Sequence, residues 1–330
     1  MNFKNFVEEI KKMVKEYLGR ECKVEVKEVL KNNGVKLTGI VILEGEQNCV
    51  PNIYLNEYYE KFKEGRCIRD IVYEIINYYE QHKVMVKINM DFFSDFEKMK
   101  EKICYKLINF EKNKELLQHI PHMVYLDLAV VYYCVVENES IGNGSILIRN
   151  EHINKWQVDL KMLHETAVYN TKKLLMGKIL PMEDVICEML KRKMILEIES
   201  SAKRQMDSDI LVTEKMVEPI VHEMMVKIYS EAKGPKMYVA SNENKNYGAA
   251  VILYDGFLND FANSIQADFY ILPSSVHEVI LIPVESDKDE VCQLKRMVYE
   301  VNHTELEEEE ILSDSIYLFK RSSGIISKVE

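Results

Sequence analysis

The stretch "ILPSSVHEVILIPV", residues 271–284, places Ser275, His277 and Glu278 within four positions, beside an apolar run. Serine, histidine and carboxylate are the parts of a nucleophilic triad, in which a base takes the hydroxyl proton and a third group orients the base. On an extended chain Ser275 and His277 share one face roughly 7 Å apart, while Glu278 points to the other. Glu278 therefore cannot orient that imidazole, and no G-x-S-x-G elbow occurs in the sequence. The competing reading is a turn at Pro273, Ser274 and Ser275 that feeds a buried strand, with the hydroxyls satisfying its backbone. A second candidate is the loop "ASNENKNYGAA", residues 240–250. A strand, a polar loop and a helix starting at Gly248 would leave backbone N–H groups free for an anion, with Lys245 assisting. Against this, Gly248 is the loop's single glycine and no G-K-[ST] follows it. Asn242, Asn244 and Asn246 fit capping and turning the loop. The candidate ligand-binding set is Asn242, Lys245, Asn246, Gly248, Ser275, His277 and Glu278, and no residue is assigned a catalytic role.

Metal chemistry finds less support. His164-Glu165, His222-Glu223 and His277-Glu278 resemble the start of a zincin motif, which needs a second histidine four residues on to share one helix face. Those positions hold Val168, Val226 and Leu281. His119 and His122 flank Pro121 with no third ligand close in sequence. The run "TELEEEE", 304–310, lacks the pattern of a calcium loop, and Thr304 with Glu307 reads as a capping box opening a solvated helix. Tyr54, Tyr58, Tyr59, Tyr73, Tyr78 and Tyr79 could stack on bases or sugars, but their helical spacing favours packing. The expectation is no metal and no cofactor.

The elements that position these residues are legible from periodicity. Residues 3–18 repeat apolar residues every three or four positions, and Gly19 closes that helix. "CKVEVKEV" and "VKLTGIVIL" alternate across Asn33-Gly34, a hairpin turn, and two amphipathic helices follow. Residues 1–85 thus form an α-β-β-α-α unit, with "VMVKINMDFFSDFEKMK" as the junction. Residues 86–330 form an α+β main domain. In it "KICYKLIN" is a strand, "MVYLDLAVVYYCVV" one long or two short strands, and Asn143-Gly144 a second hairpin turn. A helix pair follows, with Pro181 in the first turn of its second member, then a helical stretch over 195–234 with breaks at Asp207–Asp209 and Pro219. The last third reads strand "KMYVA", the polar loop, helix "YGAAVILYDGFLNDFANSI", strands "DFYIL" and "HEVILIPV", helix "DEVCQLKRMVYEVN" and strand "SIYLF". A β-α-β-β order recurs at 102–136 and 236–284, which suggests two related halves, about 100–195 and 236–320. Hairpins outnumber βαβ units, so the class is α+β with mostly antiparallel sheet.

Composition sets the outer limits. The chain has 330 residues, 47% hydrophobic, with a net charge of −11. No apolar run reaches the ~18–20 residues of a membrane span, and the N-terminus lacks the apolar core of a secretory signal. The acidic balance argues against a general nucleic-acid binder, leaving only a local basic strip at Lys191–Lys193. The seven cysteines form no CxxC pair, and their apolar neighbours fit reduced thiols of a cytoplasmic protein.

The segments "NIYLNEYYEKFKEGRCIRDIV", "YLDLAVVYYCVV", "ETAVYNTKKLL", "YVASNENKNYGAAVILYDGFLNDFA" and "FYILPSSVHEVILIPV" together resemble a bacterial family catalogued as domain of unknown function 5688. The resemblance runs nearly end to end. The blocks "SNENKNYGAAVIL" and "LPSSVHEVILIP" are also similar to the uncharacterised family numbered 1444. The resemblance implies a bacterial cytoplasmic protein of about this length, and brings no activity, cofactor or catalytic residues. With no nucleophile, base and orienter together in sequence, the reading is a binding or interaction module with a protein or small-molecule partner and no membrane role. The alternative is a hydrolase or transferase whose site joins the 241–249 loop to the 274–278 turn. A thiol titration of denatured, non-reduced protein should find all seven cysteines free, and elemental analysis no stoichiometric zinc. Two or more intact disulfides would refute the first expectation and one zinc per chain the second.

Overall fold

The computed structural model describes residues 1–19, 21–45, 50–83, 91–138, 142–204, 213–231, 235–273, 275–285 and 290–329. The chain divides into two compact units, Met1–Val124 with Ala129–Asn170, and Tyr125–Leu128 with Thr171–Glu330. Both build on antiparallel sheet packed with helices, and the fold class is α+β.

In the first unit, α1 (Phe3–Leu18) starts where the Asn2 side chain accepts the Asn5 N–H at 2.9 Å. Its Phe6, Val7, Ile10 and Val14 are buried, as the three- and four-residue spacing requires. Strands β1 (Cys22–Leu30), β2 (Lys36–Glu44) and β3 (Asn52–Tyr54) form an antiparallel sheet in that order. The β1–β2 register runs from Cys22 opposite Glu44 to Leu30 opposite Lys36. Asn33 and Gly34 turn the hairpin with φ of 58° and 74°, the left-handed region that Asn and Gly tolerate. Helices α2 (Leu55–Lys63) and α3 (Ile68–His82) close the core, with Leu55, Ile71, Ile75 and Tyr79 buried against α1 and the sheet. Of the aromatic cluster, Tyr58, Tyr59 and Tyr79 pack here, with Tyr59 edge-on to Phe3 and tilted against Phe6, while Tyr73 and Tyr78 are exposed.

The expected junction begins on residues 84–90, which lie outside the described residues. Beyond it come α4 (Phe96–Met99), β4 (Ile103–Asn109), α5 (Lys114–Leu117), β5 (His122–Tyr125), β6 (Leu128–Asn138), β7 (Gly142–Leu147), α6 (Asn150–Trp156) and α7 (Leu160–Leu174). The second sheet has the order β4-β6-β5, and β7 also pairs with β6.

The remaining elements are β8 (Gly177–Pro181), α8 (Met182–Arg204), α9 (Glu214–Glu231), β9 (Tyr238–Asn242), α10 (Phe257–Ile265), β10 (Phe269–Leu272), β11 (Val279–Pro283), α11 (Glu290–Thr304), β12 (Tyr317–Lys320) and β13 (Ile325–Lys328). Their sheet has the order β13-β12-β10-β11-β9-β8. The strand order β9-β11-β10 matches β4-β6-β5 in the earlier segment. Leu272, Ile282, Leu294, Val298 and Ile316 form a core between this sheet and α11.

Several local expectations are corrected. The chain does not turn at Asn143-Gly144. Both lie within β7, with Asn143 opposite Glu137 and Gly144 opposite Val136, because ladder pairing continues past the dipeptide. The helix expected from Gly248 is a six-residue 3-10 segment, Gly248–Leu253, followed after Gly256 by α10. Gly256, at φ 77°, lets the chain change direction there. Pro219 does not break α9. The helix runs through it, held by Val217 and Val221 buried on either side. Asp207–Asp209 lie outside the described residues. Pro181 ends β8, and α8 opens at the next residue, Met182, so the expected helix starts one position later. Thr304 ends α11, its hydroxyl donating to the Glu300 carbonyl at 2.9 Å, so it caps no following helix.

One half-buried carboxylate ties distant segments of the second unit. Asp127 accepts hydrogen bonds from Tyr317 Oη at 2.6 Å and from Ser313 Oγ and Ser315 Oγ, each at 2.7 Å. Lys328 Nζ lies 3.5 Å away. Burial pushes this carboxyl upward, but the three hydroxyls and Lys328 outweigh it and hold it below the usual range. A folded-state value below the unfolded one gives stability that is present above the unfolded carboxylate range and lost as pH falls through it. Asp127→Ala should therefore cost about 2–4 kcal/mol at neutral pH. The penalty should shrink in melts recorded below about pH 4. A penalty that does not change with pH would contradict the assignment.

Candidate functional site

The 242–248 loop and the 275–278 turn meet in the second unit. β9 and β11 are antiparallel neighbours, with Val279 opposite Ala240, so the loop leaving one strand lies beside the turn entering the other. The Tyr247 N–H donates to His277 Nδ1 at 3.3 Å, and the two rings stack 5.8 Å apart at 12°. The Ser241 hydroxyl donates to the His277 carbonyl at 2.7 Å, and the His277 N–H donates to Ser275 Oγ at 3.0 Å. On its other side the turn is fixed to residues 310–313. Val276 N–H donates to the Glu310 carbonyl at 2.9 Å, Ser313 N–H to the Pro273 carbonyl at 2.9 Å, and Ser275 bridges Ile311. Ser274 lies outside the described residues.

The loop is held from within. The Asn242 side chain is buried. It donates to the Asn246 carbonyl at 2.8 Å and accepts the Asn246 N–H at 3.3 Å. Lys245 N–H donates to the Asn242 carbonyl, and Ala249 N–H to the Val276 carbonyl. Lys245 and Tyr247 sit in the left-handed region at φ 52° and 54°, a cost of roughly 1 kcal/mol or more each that these bonds offset. Gly248 is buried where no larger residue fits. A Cβ there would meet Ser241 Oγ at 2.1 Å, the His277 carbonyl at 2.5 Å and Asn242 N at 2.7 Å.

This geometry decides what chemistry the cluster can perform. Nδ1 of His277 is an acceptor for a backbone amide, and Nε2 faces Glu310 Oε1 at 3.7 Å. Neither nitrogen is turned toward Ser275, whose oxygen accepts from the His277 backbone instead. The loop enters a 3-10 turn, and the N–H groups of 245, 246, 247 and 249 donate to protein acceptors. Glu278 stands apart from this hydrogen-bonded set. Burial pushes its carboxyl above the usual range, and the charges of Lys245 and His277 pull it back. Lys245 lies 3.5 Å from Glu188, exposed on both sides.

Sequence reasoning missed Ser241, Tyr247 and Glu310. Glu310 takes the place beside the imidazole that Glu278 could not occupy, and nothing in a run of glutamates marks it out. Among the described residues no group of three or more His, Cys, Asp or Glu side chains could hold a metal ion. His122 Nδ1 lies 3.1 Å from the Ile120 carbonyl. In the basic strip, Lys191 pairs with Glu218 at 3.5 Å.

A family model described as a family of unknown function, DUF5688, matches residues 3–321. The chain belongs to DUF5688. No curated protein matches it and no solved structure does. The DUF5688 chain has no helix among its described residues long and apolar enough to cross a membrane.

Its helical hairpin supplies a feature of another kind. α8 and α9 pack through Cys187, Leu190, Met194 and Ile195 against Val217, Val221 and Met225. The neighbouring stripe of α9, Met216, Ile220, Met224 and Ile228, repeats every four residues and remains 62%, 49%, 40% and 42% exposed. The apolar surface of α9 is therefore only half covered.

Two substitutions test the polar cluster. Gly248→Ala should destabilise the protein by about 1–3 kcal/mol, because two of the three obstructing atoms are backbone. Glu278→Gln has the opposite sign. Since Glu278 has a raised carboxyl, its ionisation costs folded-state stability once pH passes the ordinary glutamate range. The substitution should raise the melting temperature near pH 7 and leave it unchanged near about pH 3. A lowered melting temperature at pH 7 would show that Glu278 makes a favourable contact as an anion.

Proposed function

We propose that this protein is a cytoplasmic interaction module without catalysis, and that it holds a protein partner on the exposed stripe of α9. The observation that carries the reading is the i, i+4, i+8, i+12 row of Met216, Ile220, Met224 and Ile228 beside the covered stripe. A helix that is apolar over so much of its circumference is stable in water only when a second element covers it. A contiguous apolar patch that stays exposed marks a contact surface. Two methionines suit such a face, since their flexible side chains adapt to an incoming helix.

The polar cluster supports the non-catalytic half of the reading. His277 Nδ1 accepts a backbone amide, Nε2 lies 3.7 Å from Glu310 Oε1, and the N–H groups of 245, 246, 247 and 249 donate to protein acceptors. Asn242, Asn246, Ser275 and His277 then act as a lock that joins β9, β11 and residues 310–313. The cytoplasmic setting is supported by the six described cysteines, none of which is in a disulfide and three of which are buried.

Site-specific photocrosslinking in cells tests the proposal. A photoreactive residue at position 220 should give one discrete adduct with a polypeptide. The same residue at Val226, exposed on another face of α9, should not. Equal labelling from both positions, or none from 220, would refute an α9 docking face.

A further inference from the structure

The geometry points to a binding cleft for a free polar α-amino acid at the end of α10, independent of the docking face on α9. The cleft measures about 410 Å³ and lies between the last turn of α10 and the turn that joins β12 to β13. That volume falls within the range of small-molecule sites. Backbone contacts fix both walls. The Arg321 N–H donates to Asp268 Oδ1 at 2.9 Å. Gly324, at φ 66°, leaves Asn259 Oδ1 only 2.9 Å from the place a Cβ would take. The β12–β13 turn is therefore seated against α10 at two points.

Two opposite charges line this cleft without forming an ion pair with each other. The Arg321 Nε–H donates to Asn263 Oδ1 at 3.2 Å, which orients the guanidinium plane. Its two terminal NH2 groups have no partner among the described residues. Such a held guanidinium can grip a carboxylate with two parallel hydrogen bonds. Asp268 gives one carboxylate oxygen to the Arg321 backbone, and no group among the described residues uses the other. α10 ends at Ile265 and its cap, Gln266, lines the cleft, so the negative end of the helix dipole adds to the charge of Asp268.

This separation of charge selects the ligand. A phosphate dianion would meet the carboxylate of Asp268, and a simple ammonium ion would meet the guanidinium of Arg321. A zwitterion satisfies both, with its carboxylate on Arg321 and its ammonium on Asp268. The rest of the lining includes the side chains of Asn263, Gln266 and Ser322. Those groups offer hydrogen bonds to a polar side chain and little apolar surface to an aliphatic one. Arg321, Asn263 and Gln266 are exposed, so water screens the contacts and binding is weak, with Kd on the order of millimolar.

Titration of the full chain, followed by the NMR shifts of its backbone amides, reads binding this weak. L-serine should move the amides of Ala267, Arg321 and Ser322 in a saturable way. N-acetyl-L-serine lacks the ammonium and L-serinamide lacks the carboxylate, and each should bind about tenfold more weakly or worse. Arg321→Gln should weaken L-serine by about tenfold and leave L-serinamide unchanged, because the lost partner is the carboxylate's. Asp268→Asn keeps an oxygen for the Arg321 amide, and should weaken L-serine while leaving N-acetyl-L-serine unchanged. Melting curves of both variants should match the native chain, which separates lost binding from lost fold. The inference is overturned if L-serine moves none of these amides, or if all three compounds bind equally. It is also overturned if inorganic phosphate binds more tightly than L-serine, which would make the cleft an anion site, or if Arg321→Gln folds normally and binds L-serine as the native chain does.

Discussion

The absence of a side chain at Gly248 is the constraint on which the polar cluster depends. Ser241 Oγ, the His277 carbonyl and the Asn242 amide nitrogen converge on the space a Cβ would need. That close approach lets the loop after β9 lie against the turn before β11. It brings the Tyr247 amide to His277 Nδ1 and the Ser241 hydroxyl to the His277 carbonyl. The turn is tied on its other side to Glu310, Ile311 and Ser313. A single small residue thus joins three chain segments that are far apart in sequence.

The same tight packing fixes how the polar groups of this cluster face one another. A general base needs a nitrogen with a free lone pair aimed at a reacting proton. His277 Nδ1 accepts the Tyr247 amide at 3.3 Å, while Nε2 lies 3.7 Å from Glu310 Oε1, beyond hydrogen-bond range. Asp127 follows a similar logic elsewhere in the second unit. Its carboxylate gathers three hydroxyls and remains charged because they stabilise the anion more than burial penalises it. These two polar clusters are networked and closed. The α8–α9 hairpin differs, since its exposed feature is an apolar row beside a covered one.

Much of the secondary structure is legible in the sequence because it is local. The spacing of Phe6, Ile10 and Val14 marks α1, and the alternation around Asn33-Gly34 marks the first hairpin. The misreadings fall where a tertiary contact overrides a local signal. Asn143-Gly144 has turn chemistry but sits in a paired strand, and Pro219 has breaker chemistry but sits in a helix pinned by Val217 and Val221. "GKILP" does not read as a strand because so short a run gains that state only by pairing with β9. The seven residues proposed for a site are brought into one region, yet nothing local marks Glu310 and Tyr247 as the partners of His277.

Sequence alone determined the α+β class, the antiparallel hairpins and the membership in DUF5688, because periodicity, turn residues and family pattern are properties of neighbouring positions. Tertiary structure decided which groups face which. Ser275, His277 and Glu278 are close together in the chain, but the carboxylate nearest His277 Nε2 is Glu310 from a distant segment, 3.7 Å away, and among the described residues Glu278 joins no hydrogen bond of the cluster. The reason is geometric. Strand alternation sends neighbouring side chains to opposite faces, so the partner of a polar group comes from whichever segment the sheet lays beside it.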